Sequence, residues 1–144
     1  MPAVVPPVVP YARPTGGPVR VLHLETRRGM LAAATTIVTI DGASYPQPWG
    51  RTAFELPADR PVAVQVSQAW RHGTVGLASL VIGPGPDLAL EYRGPSHLAM
   101  AGEIGLPGTV RSRGTALQAS LLGCVGLLLL GLLALVLLVV LTAS

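Results

Sequence analysis

From position 18 to about 110 the chain consists of short segments in which apolar and polar side chains alternate every second residue. That period puts successive side chains on opposite faces of an extended strand. VRVLHLET, residues 19–26, sets Val19, Val21 and His23 on one face and Leu22 and Leu24 on the other. ATTIVTIDG, residues 34–42, is β-branched from Thr35 to Ile40 and ends in Asp41-Gly42, a hairpin turn signal. In RTAFELP, residues 51–57, Thr52, Phe54 and Leu56 alternate against Ala53 and Glu55. VAVQVSQAW, residues 62–70, is the cleanest case, with Val62, Val64 and Val66 opposed to Gln65 and Ser67. GTVGLASLVIG, residues 73–83, and LALEYR, residues 88–93, supply two more strands across a Gly-Pro-Gly-Pro turn. Pro46 and Pro48 bar ASYPQPWG, residues 43–50, from a central strand and make it a loop or an irregular edge. A weak last strand falls within 96–104 or 108–112, and only 29–34 is locally helix-tolerant. Short strands with turns every eight to twelve residues predict an all-β domain, a small antiparallel β-sandwich or barrel.

The pattern then changes. Residues 114–144 carry no charge, and Leu121 to Leu141 is an unbroken run of apolar residues and glycine. At about 1.5 Å per residue that run spans roughly 30 Å, the thickness of a bilayer's hydrocarbon core, so it predicts a single C-terminal transmembrane helix over 115–142. On a helical wheel Ala119, Gly123, Gly126 and Ala134 gather on one side, a small-residue face on which another helix packs closely in lipid; an inert Leu-rich anchor is the plainer reading.

The organisation is therefore a Pro-rich flexible arm at 1–17, a β-domain at 18–104, a juxtamembrane connector at 105–114 and the helix. The opening MPAVVPPVVP has no basic n-region and its prolines exclude a helical h-region, so no export signal is read there. Arg111 and Arg113 precede the apolar run and no basic residue follows it, which by the positive-inside rule predicts a tail-anchored protein of the cell membrane with its N-terminal domain in the cytoplasm.

Thr39-Ile40-Asp41-Gly42, then Phe54-Glu55-Leu56-Pro57, then Val62 through Val66 follow one another as hairpin, strand, turn and alternating Val-rich strand. Over about residues 19–82 this resembles a PEGA-type β-module. The resemblance implies a non-catalytic module for binding or spacing, often attached to membrane proteins, and assigns no catalytic residue. In place of that module's glycine-rich turn and Thr-Pro the chain has Tyr45-Pro46-Gln47-Pro48-Trp49-Gly50.

Composition narrows the function classes. All ten basic residues are arginine, scattered among seven acids for a formal charge of +3, and form no tract that would follow a nucleic-acid backbone. The one cysteine, Cys124, lies in the apolar run, which excludes an intrachain disulfide and a thiolate zinc site. His23, His72 and His97 match no local ligand or catalytic spacing. A triad of His23 with Asp41 or Glu25 and Ser67 or Ser96 can be drawn, but nothing selects it. No catalytic residue, metal site or cofactor is expected.

What remains is recognition. The proline-stiffened loop from Tyr45 to Arg51 offers Tyr45 and Trp49 as interface anchors, with Trp49 in the core as the competing reading. Arg27 and Arg28 suit anionic headgroups or an acidic partner, and equally a solvated turn. The sequence points to a membrane-anchored accessory or scaffold subunit, bound through helix and β-domain to a larger membrane protein or to a second copy; the alternative is a tethered ligand-binding or carbohydrate-associated module.

Overall fold

The computed structural model describes residues 7–13, 16–29, 35–112 and 115–143; the side chains of 115–119, 121–122, 137–139 and 143 are not described. The chain divides into a β-domain through Arg113 and a helical unit from Gly114. Residues 1–6, 14–15, 30–34, 113–114 and 144 lie outside the described residues.

The strands are β1 (Val8–Val9), β2 (Val19–Arg27), β3 (Thr36–Ile40), β4 (Ala43–Gln47), β5 (Gly50–Pro57), β6 (Val62–Trp70), β7 (Gly73–Ile82), β8 (Leu88–Arg93) and β9 (Glu103–Gly105). They form two sheets, β1-β5-β2-β8-β9 and β4-β3-β6-β7. The expected sandwich is present: Leu22, Leu24, Phe54, Leu56, Leu90 and Tyr92 of the first sheet meet Val38, Ile40, Val62, Val64, Val66 and Ile82 of the second. Removing these apolar side chains from water is the main force joining the layers. Pairing is antiparallel except where β2 runs parallel to β8 and β1 parallel to β5.

Local chemistry accounts for the turns. Asp41 and Gly42 both have positive φ, 46° and 86°, as a two-residue type I′ hairpin requires. Pro46 sits on β4, an edge strand, where no ladder hydrogen bond is forfeited to a further strand. Opposite Ser67, β7 contributes one extra residue: Val66 pairs with Ala78 but Gln68 with Val75. This bulge holds Gly76 at φ +64°, and its carbonyl accepts the Tyr92 hydroxyl at 2.7 Å. It also buries Ser67, which plain alternation sets outward beside Gln65.

Two segments outside the expected β-domain are built into it. Val8 and Val9 of the N-terminal arm pair with Ala53 and Phe54. Beyond them the Tyr11 hydroxyl donates to Asp41 Oδ2 at 2.6 Å, and Arg60 lies over the Tyr11 ring. The 105–112 part of the connector is also folded: Gly105 closes β9, Val110 is buried, and the Ser112 hydroxyl donates to the Gly94 carbonyl at 3.2 Å. A buried apolar side chain and satisfied backbone groups outweigh the turn-forming glycines that mark this stretch as a connector.

The helical unit is α1 (Thr115–Ala143), which contains a 20-residue span, Gly123–Thr142, of mean hydropathy 3.2. It is the one helix among the described residues long and apolar enough to cross a membrane.

Candidate interaction surface

Strand order gathers, at one end of the sandwich, residues that are far apart in sequence. β2 ends there at Arg27, opposite Arg93 of β8, and the Arg27 carbonyl accepts the Gly94 N–H at 3.1 Å. β5 begins there: Thr26 Oγ1 donates to the Gly50 carbonyl at 3.1 Å and accepts the Gly50 N–H at 3.0 Å, which sets Trp49 and Arg51 beside Arg27. The β6–β7 hairpin, Trp70-Arg71-His72-Gly73, turns at the same end, because Gly94 is packed against the Gln68 side chain and Gly76 against Pro95. A Cβ at Gly94 would displace the Gln68 side chain, and one at Gly76 would stand 2.6 Å from Pro95 Cδ. Ser112, bonded to Gly94, is the last described residue of the domain and lies at this end too.

The charge distribution follows from the same topology. Arg27, Arg28, Arg51, Arg71, Arg93 and Arg111 stand at this end, against Glu25, Glu91 and Glu103. The opposite end balances Arg13, Arg20 and Arg60 against Asp41, Asp59 and Asp87. Glu25 binds Arg27 at 3.1 Å and Arg51 at 3.3 Å; Glu91 binds Arg93 at 3.1 Å and Arg27 at 3.5 Å. The Gly108 N–H, donated to Glu91 Oε2 at 2.8 Å, is the chief cause holding the Glu91 carboxyl below the usual carboxylate range, with Arg27 and Arg93 acting in the same direction. Arg28, Arg71 and Arg111 are exposed and make no ion pair among the described residues.

Aromatic and apolar side chains accompany the charge. Trp70 is 37% exposed and Leu98, in the loop that returns to β9, is 46% exposed. Trp49 is half-buried and stacked on Tyr92 with ring centroids 6.4 Å apart, so it belongs partly to the core and partly to the rim. Tyr45 packs edge-on against Phe54 at 5.8 Å on the other side of the β4–β5 connection. Of the sequence candidates, Trp49, Arg27 and Arg28 share this end; Tyr45 is half-buried along β4. Gly123, Gly126 and Ala134 lie on α1, and the Ala119 side chain is outside the described residues.

The sequence-drawn triad is not assembled. His23 lies on the outward face of β2 between Ala53 and Ala89, Asp41 is engaged by Tyr11 and the Ala63 N–H, and Glu25 by two arginines. Among the described residues no three His, Cys, Asp or Glu side chains cluster as a metal site.

Sequence reasoning does not single out Arg71, Arg93 and Leu98 as interface candidates. Their signal was present in part: each adjoins a turn or a strand end, but which ends coincide depends on sheet order. The chain matches no known family model, and no curated protein matches it.

Proposed function

We propose that this protein is a non-catalytic, single-pass, tail-anchored accessory or scaffold subunit of the cell membrane, with its β-domain on the cytoplasmic side and bound to a larger membrane protein. The observation that carries the reading is the folded connector. The domain is folded through Ser112, and three residues on, at Thr115, an uncharged helix begins, so the link between the domain and a spanning helix is short. Two features suit a partner in the same membrane. α1 presents Gly123 and Ala134 among its exposed positions, where a second helix approaches closely. β7 is an edge strand without charge or proline, and its Leu77 and Val81 are exposed. A PEGA-like spacing or binding module agrees with this role.

Photocrosslinkers at positions 81 and 126 of the full chain, used in native membranes, are expected to capture the same stoichiometric membrane protein. Recovery of only uncrosslinked monomer from both sites refutes the scaffold reading. Labelling of a cysteine placed in the N-terminal arm of intact cells tests sidedness, and a cytoplasmic domain stays unlabelled by an impermeant reagent.

A further inference from the structure

We propose that the arginine-rich end of the β-domain is a docking surface for anionic phosphate headgroups, so that the domain lies against the bilayer in one fixed orientation. This rests on the reading of α1 as a membrane span. The sequence shows scattered arginines; the fold brings six of them to one end of the sandwich, three of them without an ion pair among the described residues. Between them stand Trp70 and Leu98, both exposed, and the half-buried Trp49. Arginine with tryptophan is the combination that settles at the headgroup level, the cation on phosphate and the indole at the boundary with the acyl chains.

Continuity of the chain selects lipid over an acidic protein as the occupant. The domain leaves this end at Ser112, and only residues 113 and 114 separate it from the helix start at Thr115. Three Cα steps reach about 11 Å at most and about 12 Å of helix precede the apolar span at Gly123, so along the chain Ser112 is within roughly 25 Å of that span. The far end, with its arginines and aspartates balanced, has no comparable attraction. The cytoplasmic leaflet is the anionic one in most cells, so the orientation proposed from Arg111 and Arg113 and this docking surface agree.

The test uses the full chain with Cys124→Ala, reconstituted in vesicles of phosphatidylcholine alone or with phosphatidylglycerol, and a spin label at position 72 or, at the far end, position 44. Anionic lipid is expected to reduce the access of an aqueous paramagnetic collider to the label at 72 about twofold, while access at 44 is unchanged. High salt, or Arg28→Glu with Arg71→Glu, should restore it, because each arginine near the surface changes the docked-to-free ratio about fivefold. Equal access at 72 in neutral and anionic vesicles overturns the proposal, as does protection at both positions. Flotation and carbonate extraction in neutral vesicles test the anchor separately. A chain that is extracted there refutes the span, whereas a chain that floats, resists extraction and shows no lipid-dependent protection refutes docking alone.

Discussion

Glu91→Gln should lower the melting temperature of the β-domain by about 10 °C while leaving its fold intact. Glu91 is 1% exposed, and both of its oxygens are occupied: Oε2 by the Gly108 N–H at 2.8 Å and Oε1 by Arg93 at 3.1 Å, with Arg27 at 3.5 Å. Glutamine preserves the shape but converts one acceptor into an NH2 group, so either the Gly108 N–H or the Arg93 guanidinium then faces a donor. A buried hydrogen bond to a charged group contributes about 1.5–3 kcal/mol, and a donor left facing a donor removes all of that. Arg27 is 50% exposed, so its pair with Glu91 adds well under 1 kcal/mol after solvent screening. The loss is then about 2–3 kcal/mol, and a domain of this size shifts by about 4 °C for each kcal/mol. Near-ultraviolet circular dichroism of the full chain in detergent, which reports the Trp49–Tyr92 stack, measures it. The pH dependence has a definite sign. A carboxyl held low in the folded state, chiefly by the Gly108 N–H, stabilises the protein above the ordinary carboxylate range, and the effect is lost as pH falls through the depressed value. The difference between wild type and variant should therefore be full at neutral pH and shrink in acid. A shift below about 2 °C at pH 7, or one equally large in acid, refutes the assignment.

Gly76→Ala forces a Cβ to within 2.6 Å of Pro95 Cδ at a residue held at φ +64°, and should cost about 3 kcal/mol, seen as a lower midpoint in urea denaturation. Tyr11→Phe deletes the 2.6 Å hydrogen bond to Asp41 that ends the strap formed by the N-terminal arm; amide hydrogen exchange at Val9 should speed up about tenfold with little change in global melting. Leu130→Arg puts a charge near the middle of the apolar run at about 2.5–3.5 kcal/mol, and should turn a carbonate-resistant protein into an extractable one.

What was legible in the sequence was whatever local pattern controls. Val62, Val64 and Val66 alternate in the chain and are fully buried in the sandwich, and Asp41-Gly42 is the hairpin turn it reads as. His23 faces outward as the period of two requires. Departures occur where a distant segment intervenes. Ala53, expected on the polar face of its strand, is buried because it is flanked in register by His23 and by Val8 of the arm. The parallel pairing of β2 with β8 joins segments about sixty-six residues apart, and no local propensity records it. The candidate surface was legible only in fragments for that reason: Arg27, Arg28 and Trp49 stand out along the chain, but the register that sets them beside Arg71, Arg93 and Leu98 is a property of the sheet order.

The folded connector gives these weak contacts their leverage. Arg28, Arg71 and Arg111 at about 1 kcal/mol each provide roughly 3 kcal/mol, a dissociation constant of several millimolar for a free domain and hence no useful affinity. A domain joined to its membrane helix by two residues meets the same surface at an effective concentration of that order, so docking becomes intramolecular and substantially populated. Length of the link, not strength of the contact, is then the sensitive variable. Inserting twenty Gly/Ser residues between Ser112 and Thr115 alters no arginine and no strand, yet a flexible link diluted as the −3/2 power of its length lowers the effective concentration roughly thirtyfold. The label at position 72 should become nearly as accessible in anionic vesicles as in neutral ones, while the melting temperature stays fixed. If the lengthened chain remains protected, the contacts are far stronger than three surface arginines allow, and the tether is not what holds the domain down.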